Sequence, residues 1–243
     1  MAETIVIVGA GPKLGAALGR RFAREGASVA LLARNPDTIH AIEGSVRRAA
    51  GEASTPGRIL ALPCDASDAQ GVTEAFRRIR EALGAATVLV YNAGAFQRGG
   101  ILALAADRVE QAWRVACLGG LICAQQVLPD MVKAKRGTIL LTGATASLRG
   151  SAGFASFAMG KFGLRALGQS MAREFGPLGI HVAHVVIDGQ IGAAQERSAP
   201  RPEPAAPSSL DPDALADAYW QLHRQDPSTW SFEIDVRPAA EKF

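Results

Sequence analysis

The chain has 243 residues, 48% of them hydrophobic and 20% charged, enough for one domain with a full-sized core. Its net charge of +3 is spread over several segments, with arginine pairs such as Arg47-Arg48 and Arg77-Arg78 far apart in the chain, so no concentrated basic patch points to a nucleic-acid partner. Cys64, Cys117 and Cys123 are odd in number and lack a close pair, which argues against a disulfide framework or a zinc site and fits reduced, buried thiols in the cytoplasm.

The opening "MAETIVIVGAGPK" reads as a strand followed by glycines, not as a signal peptide, since it lacks a basic n-region and a cleavage site. No apolar run reads as long enough to span a bilayer, so no membrane partner is expected. "VGAGPKLG" follows the first strand (4–8), and Gly9, Gly11 and Gly15 give the spacing GxGxxxG. The first glycine allows a tight turn, the second lets a pyrophosphate approach the backbone, and the third lets the helix pack close to the strand. Leu14, Leu18 and Phe22 recur at helical spacing before the stop at Gly26. The free N–H groups of that helix start would face phosphates, so Gly9, Gly11, Lys13, Leu14 and Gly15 form the predicted cradle.

The second strand (28–33) ends in "LLARNP". An NAD site wants a carboxylate there for the ribose 2′-hydroxyl. This chain offers Arg34, with Lys13 in the glycine loop. Two cations and no acid suit a 2′-phosphate, so NADP(H) is expected over NAD(H).

A third strand (58–62) leads to "CDAS", and Asp68 is placed to cap the helix carrying Val72, Phe76, Ile79 and Leu83. A fourth strand (87–91) runs into "YNAG". Helical periodicity covers most of 107–135, a fifth strand lies at 138–142, and a helix is predicted from about Phe154 to Phe175, ending at Gly176-Pro177. A sixth strand follows at 180–187 and a last one at 231–236. Between them "ERSAPRPEPAAPSSLDP" (196–212) has no period and reads as either a lid or a plain flexible loop. The alternation predicts an α/β, doubly wound Rossmann fold: a parallel sheet of about seven strands with helices on both faces. The expected organisation is a single dinucleotide-binding domain over 1–243, with a lid-like segment and small C-terminal lobe at about 192–230.

Together "VGAGPKLG", "CDAS", "YNAG" and Lys161 at the start of a long helix resemble the short-chain dehydrogenase/reductase family over essentially the whole length. The resemblance implies that Asp65 contacts the adenine, that Asn92, Ala93 and Gly94 line the cofactor, and that Lys161 holds the nicotinamide ribose. It implies that the segment after the sixth strand touches the nicotinamide; where the family usually has Pro-Gly, this chain has Asp188-Gly189. It also implies pairing through the two long helices into a homodimer or homotetramer.

Family catalysis uses a serine, a tyrosine and a lysine, with a helix asparagine in support. Four residues before Lys161 stands Phe157 in place of the tyrosine, and the serine position holds Ala144. The asparagine position falls on Ala116 or Cys117. The enoyl-reductase spacing, seven before the lysine, falls on Phe154. The chain therefore resembles a divergent branch that keeps only the lysine. Candidate proton donors are Lys161, Asp188, Thr145 (one residue from the serine position) or a bound water. Tyr219 is expected to pack and not to react. Ala144, Leu148, Phe154 and Phe157 would make the pocket apolar, suited to an apolar or aromatic small molecule. Two functions fit: an NADP(H)-dependent oxidoreductase with a non-standard proton supply, or a non-catalytic dinucleotide-binding protein such as a sensor or partner subunit. A third, a structural protein binding no nucleotide, is disfavoured by the intact glycine loop.

Overall fold

The structure, a computed structural model, describes residues 3–192 and 209–240. Seven strands form one parallel sheet in the order β3-β2-β1-β4-β5-β6-β7. They are β1 Thr4–Val8, β2 Ser28–Ala33, β3 Ile59–Pro63, β4 Val88–Tyr91, β5 Gly137–Thr142, β6 Ile180–Ile187 and β7 Glu233–Val236. The central strands are buried on both faces, which is why they read as continuous apolar runs without alternation.

One face of the sheet packs under α1 (Leu14–Arg24), α2 (Pro36–Gly51) and α7 (Pro212–His223), and the other under α3 (Ala69–Leu83), α5 (Gly119–Ala134) and α6 (Ala155–Phe175). The doubly wound architecture is the expected one. Asp68 caps α3 by accepting from the Gln70 N–H at 3.1 Å. The sequence reading named no helix after "RNP". There Asn35 accepts from the Asp37 N–H at 2.8 Å and Pro36 opens α2, whose buried stripe is only Ile39, Ile42, Val46, Ala49 and Ala50.

The helix expected over 107–135 runs as α4 (Ala106–Trp113), one π-helical turn (Arg114–Leu118) and α5. The wide turn has a tertiary partner. The Tyr91 hydroxyl at the end of β4 is fully buried and donates to the Val115 carbonyl. The expectation that no apolar run could span a bilayer needs correcting: Ala106–Ala134 is long and apolar enough by length and composition. In the fold 56% of its apolar window is buried, the position of a core helix.

Of the lid-like stretch and lobe expected at about 192–230, residues 193–208 lie outside the described residues. Residues 212–223 form α7, which buries Leu215, Ala216, Tyr219 and Leu222 in the same core as α1.

Candidate functional site

The strand order reverses between β1 and β4, and a doubly wound sheet opens its ligand crevice at that point, beyond the carboxyl ends of the strands. Gly9 stands there with φ 86°, and a Cβ on it would lie 2.5 Å from the Ala93 nitrogen. Asn92 joins the two loops: its Nδ2 donates to the Gly9 carbonyl at 2.8 Å and its backbone N–H to the Val8 carbonyl at 2.8 Å. At Gly11 an added Cβ would meet no atom within 4 Å, so bare backbone borders open space at a helix start that has no side-chain cap. A diphosphate fits that cradle. Gly15 packs against Ala10, and the Leu14 side chain is buried, which leaves Leu14 only its backbone to offer a ligand. Asp65 accepts from the Ser67 N–H at 2.9 Å and the Ser67 hydroxyl at 2.7 Å, so one carboxylate oxygen holds its own turn.

The cations sort differently from the sequence reading. Lys13 donates to the Ile191 carbonyl at 2.6 Å, linking the glycine loop to the segment after β6. Arg34 is exposed and shares a cavity of about 470 Å³ with Arg108 of α4, along with Gln97 and Gln111. Arg108 was not among the sequence candidates. Nothing local marks it, because it meets Arg34 only across the crevice.

A larger cavity, about 650 Å³, is bordered by Asn92, Gly94, Ala144, Thr145, Lys161, Gly189 and Ile191. Lys161 is 4% exposed, and its Nζ donates to the Thr142 carbonyl at 2.7 Å. Burial pulls its pKa down from the usual lysine value to about 8. Two devices fix the backbone under it. A Cβ on Gly160 would stand 2.7 Å from the Ala116 Cβ, so α6 seats tightly on the π-helical turn. One turn beyond Lys161, Arg165 donates twice to Glu233, at 2.6 and 2.9 Å, while His184 Nδ1 lies 2.9 Å from the same carboxylate. This ties α6 to β6 and β7.

Around Lys161 the cavity wall carries Phe157, Phe154 and Phe96. The Phe96 ring centroid lies 5.3 Å from that of Phe157 and 5.8 Å from that of Phe154, both edge-on. The Lys161 Nζ is 5.8 Å from the Phe157 ring centroid. Leu148, expected in this wall, is 43% exposed and does not line it. The wall is also less apolar than expected, since Arg98, Arg149, Ser151 and Gln190 reach it.

Two candidates from distant segments meet. The Thr145 hydroxyl donates to Asp188 Oδ1, and Asp188 Oδ2 lies 3.5 Å from Arg237 Nη1. Tyr219 packs as expected: it is fully buried, its hydroxyl is 2.8 Å from Thr142 Oγ1, and burial raises its pKa far out of range for proton transfer at neutral pH.

A profile of the short chain dehydrogenase family matches residues 3–197. The chain is similar to meso-2,3-butanediol dehydrogenase of Serratia marcescens, 30% identical over 183 residues, which is 75% of this chain and 69% of that protein. A solved short-chain dehydrogenase from Rhodopseudomonas palustris is 36% identical with TM-score 0.82, covering 97% of this chain and 98% of the other. A metagenomic short-chain oxidoreductase, solved in complex with NADP, is 27% identical with TM-score 0.82, covering 98% of each chain.

Proposed function

This chain belongs to the short chain dehydrogenase family, and we propose that within this family of NAD(P)-dependent oxidoreductases it works with NADP(H) and moves its proton without the usual tyrosine. The observation that carries the reading is Lys161, buried, with a pKa near 8, on the wall of the cavity that also reaches Asn92 and Gly94. NADPH, when bound, supplies the hydride for a carbonyl or an activated double bond. The chain supplies everything else. Gly9, Gly11, Gly15 and the Leu14 N–H would hold the diphosphate, Asp65 the adenine, and Arg34 with Arg108 the 2′-phosphate. Asn92, Ala93, Gly94 and Gly189 would border its nicotinamide end. Lys13 closes the glycine loop against Ile191, at the base of the segment of about 192–230 within a single 1–243 domain.

Phe157 offers no proton. Thr145 gives its own to Asp188, so it presents lone pairs to the cavity and orients a substrate donor or a water. Asp188, paired with Thr145 and Arg237, acts as a positioning residue. Lys161 remains as the acid. It uses one N–H on Thr142 and has two more, and a pKa close to the working pH suits proton transfer. A positioned acid of this kind is worth about 10²–10⁴-fold in rate. Lys161 would supply the proton that accompanies the hydride such a cofactor would give.

A second reading, a non-catalytic dinucleotide-binding protein, draws on the Phe96, Phe154 and Phe157 cluster, which puts hydrocarbon where the usual donor would stand. Titration with NADPH and NADH, followed by nicotinamide fluorescence, tests both. Tight NADPH and weak NADH binding, with NADPH oxidised by aldehydes, ketones, quinones or enoyl thioesters, supports the enzyme. NADPH binding without turnover supports the second reading, and binding of neither removes both. Exposed Trp113, Leu121, Met159 and Phe162 on the two long helices suit a homodimer or homotetramer, and a monomer by sedimentation would count against it. Three free, buried thiols suit a cytoplasmic setting.

A further inference from the structure

We propose that the substrate is an amphipathic anion, an aryl or acyl stem ending in a carboxylate or phosphate, with its stem on Phe154 and Phe157 and its charged end between Arg98 and Arg149. This rests on the larger cavity being the substrate pocket, as proposed above. Charge is the first observation. Among the described residues the cavity wall carries Arg98, Arg149 and Lys161 and no carboxylate. Asp188, close by, is already bonded to Thr145 and paired with Arg237. Lys161 is turned to the Thr142 carbonyl. Arg98 and Arg149 are exposed, and among the described residues neither has a carboxylate partner. A pocket of one sign raises the local concentration of the opposite ion.

Geometry is the second observation. The Arg98 guanidinium lies over the Phe154 ring at 4.8 Å from its centroid. This cation–π contact holds the guanidinium against the ring, and its N–H groups are the donors that a planar oxyanion needs. The loops that carry the two arginines are tied together: the Gly99 N–H donates to the Gly153 carbonyl at 3.0 Å, and Ser156 Oγ lies 3.3 Å from Gln97 Oε1. Arg149 itself follows a turn in which its N–H donates to the Thr145 carbonyl at 3.1 Å. The two cations therefore line one cavity from neighbouring, connected loops, together with Phe154, Phe157 and Lys161. A ligand that fills both zones has an apolar body and an anionic end.

The test is calorimetric titration of the NADPH-loaded protein with 3-phenylpropanoate, phenyl phosphate and neutral 3-phenylpropanamide. The native protein is expected to bind at least one of the anions about fivefold or more tightly than the amide at low ionic strength, with the preference shrinking in high salt. Which anion wins separates carboxylate from phosphate. The double variant Arg98→Gln, Arg149→Gln is expected to lose the preference while binding the amide and NADPH as before. Equal binding of amide and anions, no binding of any probe, a preference that survives in the variant, or a parallel loss of NADPH affinity would each overturn the proposal. If the native chain fails to bind NADPH, the proposed function falls, and the same titration on the unloaded protein still reads the anion preference.

Discussion

The Thr145 hydroxyl donates to the Asp188 carboxylate, joining the turn after β5 to the turn after β6 across the candidate site. Arg237, just beyond β7, backs the same carboxylate at 3.5 Å. Thr145 is therefore oriented, and its lone pairs point where its proton does not. Thr145→Val is expected to lower turnover about 10- to 100-fold, the value of one hydrogen bond to a charged group, while Thr145→Ser stays near native. Steady-state kinetics alongside NADPH titration checks this. Equal turnover in the valine variant removes Thr145 from the site.

Lys161 carries a pH signature of the opposite kind from an ion-paired lysine. Burial lowers its folded pKa to about 8, below its unfolded value, so between about 8 and the ordinary lysine value of 10.5 the unfolded chain binds more protons than the folded one. Stability from this group therefore rises with pH across that window, and the full burial penalty stands below it. Lys161→Met is expected to be more stable than native at pH 7 by on the order of 1–3 kcal/mol, with the difference shrinking by pH 10. Urea unfolding of both proteins at the two pH values reads this. Turnover in the reducing direction should fall as pH rises through about 8, and should drop about 10²–10⁴-fold in the methionine variant.

Phe157 stands four residues before Lys161, its ring centroid 5.8 Å from the Nζ. Phe157→Tyr combined with Ala144→Ser should bring reduction of simple ketones by NADPH up by about 10²–10⁴-fold, the range of a positioned acid. A fall in native turnover without any such gain would mean that Phe157 serves a chemistry of its own.

Arg34 and Arg108 share one cavity without a carboxylate among its lining residues. Replacing either with alanine should weaken NADPH about tenfold and leave NADH unchanged, because only NADPH carries the 2′-phosphate. Fluorescence titration decides. An equal loss for both cofactors would assign the arginines to the shared part of the dinucleotide.

Gly119 is held by contacts from outside its helix. A Cβ there would stand 2.3 Å from the Tyr91 hydroxyl and 2.5 Å from the Ala66 carbonyl oxygen. Gly119→Ala is expected to destabilise by about 1–3 kcal/mol, read as a lower Tm. Tyr91→Phe should relieve only part of the loss, since the Ala66 clash remains.

The elements were legible because each is specified by its own residues. Short β-branched runs without alternation marked strands covered on both faces, Asp68 marked a cap, and Gly176-Pro177 marked the end of α6. The glycine spacing announced the turn that opens the crevice, and together with Lys161 it announced the family. Alternating strands and helices left almost one way to wind the sheet. What stayed hidden depends on residues far apart in the chain. The π-helical turn meets a hydroxyl from β4, far away in sequence, and α2 buries too narrow a stripe to stand out. Lys13 donates to the Ile191 carbonyl, and Arg108 lines one cavity with Arg34. Leu148 faces away from the cavity that Arg98 and Arg149 enter. Periodicity and capping act within a few residues and can be read along the chain. Which side chains share a crevice is decided by strand order and loop course, so the partners of Thr145, Arg34 and Arg98 exist only once the sheet has closed.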